Sequence, residues 1–131
     1  MTGIWEYSRE VLIYLLNEEL NNKDEEFIKS LTQFVIEHIE DPELSVDQLT
    51  THMNISRTQL YNKLKKLLNL SATEFINKIK IDVAKVKIIK TNLTIAEISW
   101  QLGFNNPSYF SKIFKRFCGV TPNEFKNGKS Q

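Results

Sequence analysis

The chain has 131 residues, 41% of them hydrophobic and 25% charged, with a formal net charge of +1. This length allows one ordinary domain or two very small ones, and the lack of a run of about eighteen apolar residues excludes a membrane-spanning helix. The start of the chain lacks the layout of a secretory signal, and the single cysteine, Cys118, excludes an internal disulfide, so we expect a cytoplasmic protein.

The charges are segregated along the chain. Residues 1–44 contain eleven acidic and three basic side chains, whereas residues 45–131 contain five acidic and fourteen basic ones. A basic segment of this size is typical of proteins that bind a polyanion such as nucleic acid. Solvated lysines on an ordinary helical protein would give the same count, so charge alone does not decide the function.

Two helices are predicted in the acidic segment. Residues 4–20 carry leucines at helical spacing and form most of a leader, residues 1–23. Three interpretations of this leader stay open: a dimerisation segment, a link to an upstream domain, or an extra packed helix. The second helix, residues 24–40, is predicted to start at the N-cap Asp24 and to end before Pro42, because the residue preceding a proline is disfavoured in helical geometry.

A pair of short helices follows. The first is predicted from residue 46 to about 53, and the second, residues 57–68, starts after the N-cap Ser56. Apolar side chains occupy one face of the second helix, while polar and basic side chains occupy the others. Two short helices joined by a tight turn, the second with a polar outer face, are typical of a helix-turn-helix unit.

A longer helix is predicted for residues 73–90, with a length of about 27 Å at 1.5 Å per residue. Its apolar residues form two stripes about half a turn apart, one containing Phe75 and Ile79 and the other Ile81 and Ala84. A helix that is apolar on opposite sides lies between two bodies. We expect its lysines to flank the stripes in water; they are Lys78, Lys80, Lys85, Lys87 and Lys90.

The helix pair is repeated near the C-terminus. At an offset of 49 residues, Val46, Leu49 and Met53 correspond to Ile95, Ile98 and Leu102, and at an offset of 50, Leu60 and Leu64 correspond to Phe110 and Phe114. Capping boxes are predicted at Ser45/Gln48, Ser71/Glu74, Thr94/Glu97 and Thr121/Glu124. The second basic helix starts after the N-cap Asn106 with Pro107 at its first position, and it stops at Gly119.

These patterns predict an all-α fold with two helix-turn-helix subdomains. The first subdomain covers residues 24–70, the linker helix lies within residues 71–92, and the second subdomain covers residues 93–131. A linker helix buried on both sides would fix the distance between the two basic helices. One turn of B-DNA is about 34 Å long, so two helices held in this way could enter successive major-groove segments.

The paired units resemble the AraC/XylS family of bacterial transcription regulators. The ending IAEISWQLGFNNPSYFSKIFKRFCGVTPNEFK, residues 95–126, is similar to the family's signature, and the resemblance covers residues 25–126. This chain departs from the family pattern at Thr50 and Ser99 (usually alanine), Asn54 and Asn69 (often glycine), Ala72 (usually proline) and Lys126 (usually arginine). The chain also resembles the C-terminal output modules of Bacteroides-type hybrid two-component regulators, which follow a receiver domain; the alternative is a small stand-alone regulator of the same family.

The resemblance implies that residues 57–68 and 107–118 are recognition helices for double-stranded DNA. The implied base-facing residues are Thr58, Gln59, Tyr61 and Asn62 in the first unit and Pro107, Ser108, Tyr109, Ser111 and Lys112 in the second. Lys63, Lys65, Lys66, Lys115 and Arg116 are better placed for phosphates, and Arg57 and Asn106 complete the DNA-binding set. Chemistry supports part of this list independently, because asparagine and glutamine pair with adenine and lysine with guanine. Packing is an equally good explanation for Tyr61 and Tyr109.

Catalysis is not expected. His38 and His52 have no metal-ligand spacing, and Cys118 has no partner nearby in the sequence, so we predict neither a cofactor nor an enzyme.

Two alternatives on the same fold are a non-specific DNA-binding protein and an interaction module for an acidic protein. Besides DNA, the candidate partners are RNA polymerase, an upstream receiver or sensor domain and a second copy of the chain.

Overall fold

A computed structural model describes residues 22–128. Every regular element in this range is a helix, which confirms the all-α prediction. The helices are α1 (Asn22–Glu37), α2 (Val46–Met53), α3 (Arg57–Leu68), α4 (Ala72–Lys90), α5 (Ile95–Gln101), α6 (Pro107–Cys118) and α7 (Pro122–Lys126). The helix predicted for residues 4–20 lies outside the described residues.

The bounds of α1 differ from the prediction at both ends. Asn22 and Lys23 are already helical, so Asp24 lies in the first turn rather than at the N-cap. An acidic side chain is favourable there as well, because the helix dipole is positive at its N-terminus. The helix ends at Glu37 instead of residue 40, because the N–H of His38 is shared between the carbonyls of Phe34 and Val35 and the chain then tightens into a turn.

The other helix ends follow the sequence signals. Three predicted capping boxes have both hydrogen bonds, at Ser71/Glu74, Thr94/Glu97 and Thr121/Glu124. At the fourth, the Oε1 atom of Gln48 accepts from the N–H of Ser45 at 3.2 Å. Asn54 and Asn69 end α2 and α3 with φ angles of 55° and 57°. They therefore replace glycine in the left-handed conformation that asparagine tolerates.

The linker helix α4 is the centre of the fold. It packs against α1 and α3 on the first unit and against α5, α6 and α7 on the second. Ten of its nineteen residues are buried, and Phe75, Ile79 and Ile81 have no exposed surface. Both predicted apolar stripes are therefore buried, and one continuous core joins the two units.

The expectation that all α4 lysines stay in water is wrong for two of them. Lys78 and Lys80 are only 9% and 7% exposed. The Nζ atom of Lys78 donates to both carboxylate oxygens of Asp82, at 2.7 and 2.8 Å, which compensates for its burial. A helix packed against five others has little solvent-facing surface left, so even its flanking residues are covered. Lys85 and Lys87 are half-buried and Lys90 is exposed.

Candidate nucleic-acid interface

The two predicted recognition helices present equivalent outer faces. Leu60 and Leu64 of α3 are fully buried, and so are Phe110 and Phe114 of α6. With 3.6 residues per turn, the outer face opposite these anchors includes Thr58 and Asn62 on α3 and Ser108 and Lys112 on α6. All four are exposed. The repeat thus places a short polar side chain and a longer hydrogen-bonding one, four residues apart, on each outer face.

The start of α3 uses one of the predicted base-facing residues for capping. The Oε1 atom of Gln59 accepts from the N–H of Ser56 at 2.9 Å, while the N–H of Gln59 donates to the Ser56 hydroxyl at 3.1 Å. This reciprocal arrangement is a fifth capping box, which is not among the four predicted. Gln59 is exposed, but its amide oxygen already accepts a hydrogen bond at the helix start, so a contact from this oxygen to a base would compete with the cap.

Two basic residues of α3 also have protein partners. Arg57 binds Asp47 of α2, with its Nη2 and Nε atoms 2.7 and 3.0 Å from the Oδ1 atom. The Nζ atom of Lys63 lies 4.9 Å from the ring centroid of Phe27 on α1, within cation–π range. Both side chains are therefore directed towards neighbouring helices as well as towards solvent.

The start of α6 is held by Asn106. Its Oδ1 atom accepts from the N–H groups of Ser108 at 2.8 Å and Tyr109 at 3.4 Å, which confirms the predicted N-cap. Pro107 occupies the first position of the helix. Pro107 and Ser111 are half-buried, whereas every other predicted DNA-contacting residue is exposed. These two residues therefore offer less surface to a ligand than their neighbours.

The two tyrosines are more exposed than packing residues usually are. Tyr61 is 49% exposed and Tyr109 is 47% exposed. The Tyr109 ring is tilted against Phe104 with 6.1 Å between centroids, so one side of it packs on the turn before α6. Both phenol groups remain available at the outer surface, where an aromatic side chain with a polar end suits a wet interface.

Four exposed cations lie in the last turns of the two helices: Lys65 and Lys66 on α3, and Lys115 and Arg116 on α6. Their placement at helix C-termini is favourable for the helix dipole.

The cations of both helices act on one carboxylate at the start of α4. Hydrogen bonding from the Ser71 backbone holds the pKa of Glu74 below its ordinary value, and the charges of Lys65 and Arg116 lower it further. Lys65 of α3 and Arg116 of α6 are therefore both close enough to Glu74 to affect it electrostatically. Only capping was predicted for Glu74, because the approach of Lys65 and Arg116 depends on packing between segments distant in the sequence.

Other kinds of site have little support in the described residues. Between residues 22 and 128, no three His, Cys, Asp or Glu side chains cluster as metal ligands. No helix in that part of the chain combines the length and hydropathy needed to cross a bilayer. Burial raises the pKa of the Cys118 thiol, which makes it a poorer nucleophile at neutral pH.

Comparison with known proteins gives a consistent picture. A family model described as a helix-turn-helix domain matches residues 49–128, more than half of the chain. Histidine kinase P4 of Formosa agariphila is 32% identical over 113 residues, and the match covers 86% of this chain but 8% of the kinase. The arabinose operon regulatory protein of Escherichia coli is 26% identical over 113 residues, covering 86% of this chain and 39% of that regulator. The chain therefore spans well under half the length of either relative.

A solved structure has the same fold. The C-terminal domain of AraT, a response regulator from Geobacillus stearothermophilus, superimposes with a TM-score of 0.72 at 24% identity. The match covers 87% of this chain and 91% of that domain. The helical architecture of the described residues is therefore one that a domain of similar size adopts on its own.

Proposed function

The chain belongs to the AraC/XylS family of helix-turn-helix transcription regulators, and we propose that it regulates transcription by binding specific sequences in double-stranded DNA. In this proposal α3 and α6 are the recognition helices. They enter successive segments of the major groove on one face of the duplex, about one helical turn apart.

The observation that carries the proposal is the equivalence of the two outer faces. Each helix has an apolar back with two fully buried anchors and an exposed front that contains hydrogen-bonding side chains followed by cations. Asn62 suits the donor–acceptor edge of adenine and Lys112 the acceptors of guanine, while Thr58 and Ser108 are able to bond either type of base. These four side chains are the proposed reading residues, with Tyr61 and Tyr109 at the edges of the contact.

The remaining members of the predicted set have supporting roles in the proposal. Lys65, Lys66, Lys115 and Arg116 contact phosphates, which fixes the position of the protein on the duplex without reading sequence. Gln59 and Asn106 cap the recognition helices. In the proposal these two residues hold the first turns in place and do not contact bases. Arg57 and Lys63 contribute less to DNA binding, because Asp47 and Phe27 already engage them. Pro107 and Ser111 shape the start of α6.

We also propose that the chain is the DNA-binding end of a signal-transduction protein. This proposal is supported by the match to a small part of a histidine kinase and by the likeness to the C-terminal domain of a response regulator. A receiver or sensor domain is then the upstream partner. RNA polymerase and a second copy of the chain stay predictions.

Selection of bound duplexes from a random library tests the function. The purified chain should enrich a motif with two conserved segments about ten base pairs apart, and the enriched duplex should still bind in excess random DNA at moderate salt. Lys90→Ala, at the exposed end of α4, is the matched control for Lys112→Ala on α6: the first should enrich the same motif as the parent, and the second a motif with relaxed base preference. Binding without a motif would indicate a non-specific DNA-binding protein, and no binding to any duplex would favour a protein-interaction module.

A further inference from the structure

The turn between α5 and α6 touches the first unit through its backbone. Gly103, at φ 81°, lies so close to the loop between α1 and α2 that a Cβ atom there would be 2.9 Å from the carbonyl oxygen of Ile39 and 3.1 Å from that of Asp41. Real Cβ atoms essentially never approach another atom to 2.9 Å, and 3.1 Å is tighter than most Cβ contacts; the atoms that would have to move are backbone rather than flexible side chain. The backbone of the second helix-turn-helix unit is therefore in direct contact with the backbone of the first.

Lys80 of α4 packs against the same turn between α5 and α6. Its Nζ atom lies 4.9 Å from the ring centroid of Phe104, the residue after Gly103. Burial lowers the pKa of Lys80, and the negative charge of Asp41 counteracts part of that effect. The buried Lys80 side chain thus lies against an aromatic ring of the second unit and within electrostatic range of a carboxylate of the first. We call the contact formed by Ile39, Asp41, Lys80, Gly103 and Phe104 the seam.

The two copies of the repeat differ at this position. Asn54 is the residue of the first unit that corresponds to Gly103, and it too is left-handed, with φ 55°. Its side chain is exposed, so nothing in the first unit demands glycine there. Gly119 has nearly the same φ as Gly103, 80°, but an added Cβ would meet no atom within 4 Å. The need for glycine at position 103 therefore comes from the neighbouring loop as well as from the backbone angle.

We infer that the seam is a positioning element that fixes the orientation of α6 relative to α3, and that Gly103 and Lys80 thereby determine the spacing of the DNA segments that the two helices read. The orientation itself is independent of any ligand. Its consequence for DNA rests on the proposed function. Once one recognition helix of a rigid pair is bound, the other binds its segment as an intramolecular event, but only when the spacing of the two DNA segments matches the protein. Loss of the seam should therefore weaken the preference for one spacing and allow other spacings to bind.

A distance measurement without DNA tests the seam itself. Nitroxide labels are attached to cysteines introduced at the exposed positions Thr51 on α2 and Asn123 on α7, in a chain carrying Cys118→Ser, and the distance distribution is measured by double electron–electron resonance. Gly103→Asn should broaden the distribution. Gly119→Asn places the same side chain at the same backbone angle without a neighbour, so its distribution should match that of the parent.

The outcomes of that measurement are decisive. A distribution for Gly103→Asn as narrow as the parent's, or equal broadening in Gly119→Asn, overturns the inference. If circular dichroism shows that Gly103→Asn does not fold, Lys80→Met decides instead, because it keeps a buried side chain of similar length while removing the charge that faces Asp41. Broadening in Lys80→Met supports the seam, and a parent-like distribution overturns it.

A second measurement tests the consequence for DNA. Duplexes carrying the two selected segments at spacings varied by single base pairs are compared by competition. The parent chain should prefer one spacing by at least about tenfold, and Gly103→Asn should lose most of that preference while keeping its affinity for each segment alone. An unchanged spacing preference in Gly103→Asn overturns the inference. If the parent chain shows no sequence-specific binding, the proposed function fails, whereas the distance measurement still decides the seam.

Discussion

The dependence of DNA binding on salt gives the most direct test of the interface. The basic residues on α3 and α6 are Arg57, Lys63, Lys65, Lys66, Lys112, Lys115 and Arg116. Two of them are engaged within the protein, Arg57 by Asp47 and Lys63 by the ring of Phe27. The other five are exposed and project from the outer faces. We therefore expect four phosphate contacts and one further cation, Lys112, in the groove, which together are equivalent to about five phosphate contacts on binding.

The magnitude follows from counterion release. Each neutralised phosphate contributes a slope of about −0.9 to log K against log[salt], so five contacts give about −4.5. Affinity should then fall roughly 500-fold between about 50 and 200 mM salt. The buried lysines of α4 do not enter this count, because Lys78 is paired with Asp82 and Lys80 is covered.

Fluorescence anisotropy on a labelled duplex at several salt concentrations measures the slope for the wild type and two variants. Lys65→Ala should make the slope less steep by about 0.9, because it removes one phosphate contact. Lys63→Ala, a loss of the same charge from the same helix, should change it by clearly less. Equal effects of the two substitutions would refute the assignment of Lys63 to Phe27, and a wild-type slope near zero would refute phosphate binding altogether.

Three further outcomes are expected. Asn62→Ala and Lys112→Ala should each cost about 1–3 kcal/mol of binding free energy and relax base preference at positions about one helical turn apart; selected motifs altered at the same base pairs would contradict two-segment reading. Ser71→Ala removes the hydroxyl that caps α4 and should lower the free energy of unfolding by about 1 kcal/mol in urea titrations, and a loss below a few tenths would show that the cap does not stabilise the helix. Burial lowers the folded-state pKa of Lys80 below its ordinary value of 10.5. Between the folded-state pKa and 10.5 the unfolded chain therefore binds more protons than the folded one, so the free energy of unfolding of the wild type increases as the pH rises through that range. Lys80→Met should lack this increase in stability with pH. Parallel curves of melting temperature against pH for the two proteins between neutral pH and pH 10 would contradict the lowered pKa of Lys80.

The sequence predicts the helices well because most of their signals are local. A capping box connects residues three apart, and an apolar stripe depends only on helical spacing. The bounds of α2, α3 and α6 were therefore predictable to the residue. The end of α1 was not, because the bifurcated hydrogen bond of His38 stops the helix well before Pro42, the signal on which the prediction relied.

The composition of the interface is predicted less completely, because it depends on partners distant in the sequence. No local pattern places Phe27 beneath Lys63 or Asp47 beside Arg57, since those contacts require α1 and α2 to have packed against α3. The burial of Lys80 has the same origin. The outward direction of Thr58, Asn62, Ser108 and Lys112 needs only the helix period, and for these residues sequence and structure agree.

The buried linker helix limits how chimaeric regulators could be built from this fold. Because α4 contributes side chains to both halves of one core, exchanging a whole helix-turn-helix unit with that of a relative would set the apolar surface of α4 against partners with mismatched shapes. Grafting only the exposed residues of α3 or α6 would leave that surface intact. New combinations of DNA preference are therefore more accessible by changing a few surface side chains than by joining the chain of one protein to that of another within α4.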